Sequence, residues 1–161
     1  MSDKKNKNTI QLTKEGYSDL KQELDQLVNE KLPVVVKRIA DAREKGDLSE
    51  NSEYQNARED KDIIDARISE IEDVLEHAEV VNKTRSKTTI GVGSEVKVHI
   101  KGQDKQIMDF SIVGQFEGDV DEGKISVASP LGKALLGAKA KEEVVVDAPA
   151  GEITYVVDAV K

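Results

Sequence analysis

The sequence predicts an α+β protein of two domains, in which an antiparallel coiled-coil αα-hairpin precedes a small α+β domain. Apolar residues recur at spacings of three and four over the first half of the chain, as in the seam of a coiled coil. Short β-branched segments bounded by Gly, Asp or Pro fill the second half. Charged residues make up 35% of the 161 residues and aromatic residues 3%, a composition that favours elongated helices over one large core.

The first arm of the hairpin begins after Thr13, which is a suitable N-cap. A proline, Pro33, lies within this arm and has no backbone N–H, so we expect a kink or a register change there, not the end of the helix. The apolar seam of the arm runs through Tyr17, Leu20, Leu24 and Leu27 and resumes at Leu32, Val35, Ile39 and Ala42.

The second arm covers about residues 52–78, and a short turn from Gly46 to Asn51 joins it to the first. Gly46 is expected to end the first arm in the left-handed conformation. Arms of about 27–30 residues at about 1.5 Å rise per residue predict a hairpin roughly 40–45 Å long. The seam of this arm consists of Tyr54, Ala57, Ile64, Ile68, Ile71, Leu75 and Ala78, with Lys61 at the skipped heptad position.

The second half predicts five strands and one short helix. The helix, Pro130–Gly137, has proline at its start and glycine at its end. The strands are predicted at Val96–Ile100, Ile107–Val113, Lys124–Val127, Glu143–Asp147 and Thr154–Val160. The domain prediction is a disordered lead-in at 1–9, a hairpin domain at 10–81, a linker at 82–90 and the second domain at 91–161.

Composition excludes several classes of function. The net charge of −8 disfavours general wrapping of nucleic acid, and the absence of cysteine excludes disulfides and thiolate metal sites. The polar start lacks the apolar core of a signal peptide, and no apolar run approaches the roughly 18 residues of a membrane span. We therefore expect a soluble, cytoplasmic protein without a membrane partner. Neither His77 nor His99 is expected to be catalytic or to bind a metal.

Two acidic residues, Asp47 and Glu50, stand three residues apart at the predicted turn. One explanation is structural, because this is the spacing of an N-cap and its capping-box partner. The other is chemical, because two exposed carboxylates can share Mg²⁺ if a partner supplies the remaining ligands. The residues alone leave both explanations open.

Basic residues concentrate within a few turns of this acidic tip. Interleaved with acidic residues, they fit a solvated helix face with i, i+4 ion pairs, or a surface that follows a phosphate chain. They are Lys37, Arg38, Arg43 and Lys45 on the first arm, and Arg58 and Lys61 on the second.

Two segments, AREKGDLSENSEYQNARE and KISVASPLGKALLGAK, resemble the Gre family of bacterial transcript-cleavage factors, and its GreA branch in particular. The similarity extends over Ile10–Lys161 in the order of the family: hairpin, linker, C-terminal domain. It implies an accessory factor, not itself an enzyme, that acts as a monomer with RNA polymerase. An FKBP-like C-terminal domain would dock at the outer rim of the polymerase's secondary channel, with Ser129 and Pro130 as docking residues.

The resemblance also implies roles at the tip. The hairpin would pass down the channel, where Asp47 and Glu50 help to hold a second Mg²⁺ that is shared with the polymerase and not stably bound by the free protein. Ser49, Asn51 and Glu53 would lie beside this pair. The basic patch would contact the polymerase and the 3′ end of the nascent RNA, which the polymerase then cleaves.

Three alternatives remain. Homologues that inhibit the polymerase depart from the G-D-L-x-E-N tip, which this sequence keeps. Prolyl isomerase activity requires an aromatic pocket, and the C-terminal half offers only Phe110, Phe116 and Tyr155. A plain coiled-coil adaptor is the third.

Overall fold

A computed structural model describes residues 9–46, 51–82 and 86–161. The predicted lead-in up to residue 8, part of the predicted linker (83–85), and the tip residues Asp47, Ser49 and Glu50 lie outside the described residues. The chain forms two compact units: residues up to Tyr17 together with Ala78–Lys161, and Ser18–His77. A helical hairpin and a five-stranded sheet confirm the α+β class.

The first arm of the hairpin comprises α1 (Lys14–Gln26), a π-helical segment (Leu27–Lys31) and α2 (Leu32–Glu44), and the second arm is α3 (Ser52–Glu76). Thr13 is the N-cap, as predicted, because its hydroxyl oxygen accepts a hydrogen bond of 3.0 Å from the Gly16 N–H. Helix α3 ends two residues earlier than the sequence indicates. Residues of α2 pack antiparallel against α3 and close the hairpin.

The π-helical segment lies directly before Pro33. The Leu32 N–H bonds the Leu27 carbonyl five residues back, which widens the turn where Pro33 cannot donate a bond of its own. A regular heptad would place the buried position after Leu27 at Val34. Because the π-helical turn contains one extra residue, Val35 is buried instead: it is 6% exposed, whereas Val34 is 60% exposed. The register change predicted at Pro33 is confirmed, and the helix continues through it.

The apolar seam of the hairpin is narrow. In α3 the residue buried nearest the end is Val74, while Leu75 of the predicted seam is half-buried. Lys61 is half-buried and pairs with Asp65, so a polar contact occupies the skipped heptad position. The buried seam residues are Leu20, Leu27, Val35, Ala42, Tyr54, Ala57, Ile71 and Val74.

The second half forms a mixed sheet of five strands in the order β5-β4-β3-β7-β6. β4 and β5 pair in parallel, whereas the other neighbours are antiparallel. All five predicted strands are confirmed, as is the short helix α4 (Pro130–Leu135). The strands are β3 (Glu95–Ile100), β4 (Met108–Val113), β5 (Lys124–Ser126), β6 (Glu143–Ala148) and β7 (Gly151–Val160).

Two short strands were not expected from the sequence. β1 (Ile10–Leu12) pairs in parallel with β2 (Ala78–Val80), and Leu12 is fully buried. The Glu117 carboxylate accepts hydrogen bonds of 2.9 Å from the backbone N–H groups of Thr13 and Gly114, and one from the Thr13 hydroxyl. This carboxylate therefore joins the residues after β1 to the loop that follows β4.

The described end of the predicted linker contributes to the sheet unit. Ile90 is 2% exposed within the hydrophobic core and donates its N–H to the Ala138 carbonyl at 2.9 Å. Within the described residues, no helix combines the length and apolar character needed to cross a membrane.

Candidate functional site

The described residues at the end of the hairpin belong to the last turn of α2 and the first turn of α3. Gly46 follows α2 with a φ of +117°, which confirms the predicted positive-φ residue at this helix end. A Cβ at Gly46 would meet nothing within 4 Å. The backbone conformation, and not crowding, therefore favours glycine here.

Asn51 forms hydrogen bonds with both helix ends. It is the N-cap of α3, and its Oδ1 accepts a hydrogen bond of 3.2 Å from the Tyr54 N–H. Its Nδ2 donates to the carbonyl oxygen of Ala42, in the last turn of α2, at 2.9 Å. Because Asn51 occupies the N-cap, the explanation of Asp47 and Glu50 as the cap and capping-box partner of the second arm is not supported.

A second contact between the helix ends is the ion pair of Lys45 and Glu53, with 2.8 Å between Nζ and Oε2. The hydrogen bond within this pair lowers the pKa of Glu53 and raises that of Lys45. The lysine lies at the carboxyl end of α2 and the glutamate in the first turn of α3, so each charge also complements a helix dipole. Both side chains are more than 60% exposed, and the pair is accessible to solvent and salt.

The third contact is between Arg43 and Tyr54, whose ring centre lies 5.8 Å from the guanidinium carbon. A hydrogen bond from Arg43 lowers the pKa of the Tyr54 phenol, and Arg58 contributes in the same direction. Tyr54 is only 8% exposed, so its ring belongs to the seam while its phenol faces two arginines. Tyr54 was predicted as a seam residue only. The spacing of Tyr54 and Arg58, i and i+4 on a helix, was the available signal.

Arg43, Tyr54 and Arg58 line part of an open cleft of about 440 Å³ between α2 and α3. Three basic residues and one acidic residue border it, so its charge favours an anion. The lining residues are Val36, Ile39, Arg43, Tyr54, Arg58, Lys61 and Asp62.

The structure brings together only part of the predicted basic patch. Arg43, Arg58 and Lys61 share the cleft. Arg38 pairs instead with Asp60 on α3 at 2.7 Å. The remaining two members are Lys37, which is exposed, and Lys45, which pairs with Glu53.

The segment with Ser129 and Pro130 has a local structural role. The Ser129 hydroxyl accepts a bond of 3.0 Å from the Gly132 N–H and donates one of 2.7 Å to the Ser126 carbonyl, and Pro130 is the first residue of α4. A Cβ at Gly132 would lie 1.9 Å from the Ser126 carbonyl oxygen, so the close approach requires glycine. Docking through these residues stays a prediction.

The two histidines lie in separate units. His77 is the C-cap of α3, and the Asp73 carbonyl, 2.9 Å from its Nδ1, raises its pKa. With Glu76, these residues place three exposed or half-exposed ligand atoms within 4.8 Å of one another, at the opposite end of α3 from the cleft. His99 is buried in the sheet unit, with its ring nitrogens 2.7 Å from Asp158 and 3.2 Å from Asp104.

Comparison with protein families gives two matches that together span nearly the whole chain. Residues 10–80 match the N-terminal model of "Transcription elongation factor", and residues 85–161 match "Transcription elongation factor, GreA/GreB, C-term". The chain belongs to the GreA/GreB family of transcription elongation factors.

Relatives in this family are similar over most of their length. The transcription elongation factor GreA of Amoebophilus asiaticus is 43% identical over 144 residues, which are 89% of this chain and 91% of that protein. GreA of Thermodesulfovibrio yellowstonii is 42% identical over 147 residues, 91% of this chain and 92% of that one. These relatives are named as elongation factors and not as enzymes, in agreement with the predicted accessory role.

Among solved structures, the GreA factor homolog 1 protein of Thermus thermophilus is 33% identical. The match covers 95% of this chain and 99% of that chain, with a TM-score of 0.44.

Proposed function

We propose that this elongation factor binds RNA polymerase, inserts the end of its hairpin through the secondary channel and stimulates cleavage of backtracked RNA by the polymerase. The observation that carries the proposal is the basic cleft beside the two helix ends that Asn51 joins. In the sequence, the segment between these helix ends contains Asp47 and Glu50. Family membership supports the elongation role, and the position of the cleft supports the mechanism.

In this proposal Asp47 and Glu50 supply carboxylate oxygens to a cation in the polymerase active site. The donor set fits Mg²⁺, which typically takes one or two protein carboxylates and fills its remaining positions with water and phosphate oxygens. In a two-metal site, one ion would activate the attacking water and the other would stabilise the leaving oxygen. Two carboxylates alone make a weak site, so the ion is expected to be held only together with the polymerase.

The cleft supplies the contacts to RNA. Arg43, Arg58 and Lys61 would bind phosphate oxygens of the backtracked strand, and the Tyr54 phenol, polarised by Arg43, would donate a further hydrogen bond. Contacts of this kind hold the nucleic acid in place without reading its sequence, and they weaken with salt. The sheet unit would dock to the polymerase outside the channel, through the segment at Ser129 and Pro130.

The test uses a stalled, backtracked elongation complex with labelled RNA. The protein should release short 3′ fragments in Mg²⁺ and allow synthesis to resume. Asp47→Asn and Glu50→Gln should lose most of the cleavage while they still compete with the wild type for polymerase. Because Asn51 caps α3, neither change should shift the melting temperature by more than about 1 °C. Loss of a cap worth roughly 1 kcal/mol would shift it by about 2–4 °C in a chain of this size.

Raising Mg²⁺ should restore part of the lost cleavage, since weakened occupancy responds to mass action. Glu59→Gln, which removes an exposed carboxylate elsewhere on α3, is the matched control and should cleave normally. If complexes stay uncut while ordinary elongation slows, the inhibitor alternative is correct. If Asp47→Asn cleaves at the wild-type rate, the carboxylate pair has no part in the reaction.

A further inference from the structure

Asn51 makes more contacts than an N-cap requires. Asn, Asp and Ser cap helices about equally well, because each offers a side-chain oxygen to a backbone N–H of the first turn. Of these three, only asparagine also carries an amide group that can donate. Here the oxygen bonds the Tyr54 N–H at 3.2 Å and the amide bonds the Ala42 carbonyl at 2.9 Å. Asparagine is thus the one cap of the three that accepts on one side-chain atom and donates from another, and both atoms are used here.

We propose that Asn51 is a positioning residue for the tip: its amide joins α2 to α3 and so fixes the two chain ends between which the acidic turn runs. This inference rests on the proposed function, since it concerns the same tip. Gly46 and Asn51 bound the turn, and Asp47 and Glu50 adjoin them in the sequence. The bond to Ala42 therefore limits the distance between Gly46 and Asn51, the two described residues on either side of this segment.

The surroundings of this bond make it suited to that role. Ala42 is 2% exposed, and Asn51 is half-buried, so the bond is partly shielded from water. Both partners of the Asn51 amide group are backbone atoms of helices, which move less than side chains. The ion pair of Lys45 and Glu53 spans the same helix ends but is mostly exposed, and exposed pairs of this kind hold geometry weakly.

The experiment separates positioning from capping. Asn51→Asp and Asn51→Ser keep an oxygen for the Tyr54 N–H. Aspartate has no donor for the Ala42 carbonyl, and serine has one shorter hydroxyl in place of the separate oxygen and amide of asparagine. Both variants should melt within a few degrees of the wild type, because all three residues are good caps. In the backtracked-complex assay, the concentration of factor at half-saturation should stay unchanged. Cleavage at saturation should fall about ten-fold or more, the scale observed when a group that orients a metal ligand is lost.

A spectroscopic readout accompanies the kinetics. In both variants the Tyr54 amide should remain protected from hydrogen exchange. The carbonyl ¹³C resonance of Ala42 should shift, because this carbonyl loses the Asn51 donor while it keeps the Lys45 N–H at 3.3 Å. Ser52→Ala, which alters the neighbouring exposed residue, is the control and should change neither the resonance nor the cleavage rate.

Three results would overturn the inference. The first is wild-type cleavage at saturation by Asn51→Asp and Asn51→Ser, in an assay where Asp47→Asn is inactive; the proposed function would then stand alone. The second is a large drop in melting temperature or in polymerase binding for both variants, which would make Asn51 a structural residue. The third is a failure of the wild type itself to stimulate cleavage, which would remove the proposed function as well.

Discussion

The sheet unit and the hairpin unit bury their apolar residues in different ways. In the sheet unit, ten buried residues form one cluster, in which Val98, Ile112, Leu135 and Val157 are fully buried. They come from the strands, from α4 and the loop after it, and from the segment before β3. In the hairpin, the buried residues follow one seam between two arms, and Val34 and Ile63 outside that seam are exposed. A seam gives each residue few apolar neighbours, so the stability of the hairpin is distributed along its length.

This difference explains how the hairpin can present a binding surface. Much of its surface is not needed for a core, and charged residues such as Arg43 and Arg58 are free to line a cleft. A local contact such as the Asn51 bond to Ala42 would then set the geometry at the end of the hairpin without deciding whether the chain folds. The sheet unit has the opposite character, because many of its residues contribute to one core.

The largest loss of stability is expected when a buried leucine is replaced by alanine, a change that can be made in each unit. Leu135→Ala removes a fully buried side chain from the sheet cluster and should lower the free energy of unfolding by about 3–5 kcal/mol. Leu27→Ala removes a seam residue at the start of the π-helical segment, where the arms can relax, and should cost about 2–3 kcal/mol. Hydrogen exchange read by mass spectrometry measures each unit separately. Equal losses in the two units would contradict the difference in their packing.

A smaller effect is expected at the carboxylate of Glu117. Glu117→Ala leaves two backbone N–H groups and the Thr13 hydroxyl without their acceptor, and should cost about 1–3 kcal/mol. The loss should be visible as faster amide exchange in β1 and β2 and should leave α3 unchanged. Glu152→Gln, at an exposed glutamate of β7, is the control. Unchanged exchange in β1 would show that the strand pair is held without Glu117.

The smallest effect concerns the ion pair between the arms, in which Arg67 contacts Glu23 at 2.7 Å. The hydrogen bond from Arg67 lowers the pKa of Glu23. The hydrogen bonds to Glu23 and Glu70 raise the pKa of Arg67. A lowered carboxylate pKa gives stability that is present above the ordinary pKa of glutamate and is lost as the pH falls below it. Both side chains of the pair are more than one third exposed, so the contribution should stay below about 1 kcal/mol.

Melting temperatures of the wild type and Glu23→Gln, followed from about pH 7 to about pH 3, test this contribution. The difference between them should be largest near neutral pH and should vanish at the acidic end and in high salt. A difference that persists at the acidic end would indicate packing of the side chain and not its charge.

Local chemistry explains which predictions succeeded. Thr13 caps α1, Gly46 takes a positive φ, and Pro130 begins α4, because each of these residue types has a conformational preference that needs no distant partner. The five strands of the sheet were predicted for a similar reason, since β-branched runs between turn residues are self-contained signals. The π-helical segment was predicted only as a register change, because proline removes a donor but does not specify how the turn adjusts.

At the candidate site, the sequence by itself determined which residues occur near the turn, and the tertiary structure decided which of them meet. Arg43, Arg58 and Lys61 share a cleft because of the register in which the two arms pair. The same register places Arg38 next to Asp60, with which it forms an ion pair. The N-cap of α3, for which the sequence offered Asp47 as one of two explanations, is Asn51. Its amide reaches the Ala42 carbonyl only because the arms are antiparallel. Spacing along one helix cannot reveal a bond to another.

For the whole chain, the sequence determined the class of fold, the two arms, the order of strands along the chain and the family. The tertiary structure decided the pairing of β1 with β2, the strand order β5-β4-β3-β7-β6 and the contacts of Glu117. The physical reason is distance along the chain. Periodicity, caps and turns act over a few residues. β1 and β2 closely adjoin the helices α1 and α3 in the sequence, and their pairing with each other joins residues far apart in the chain.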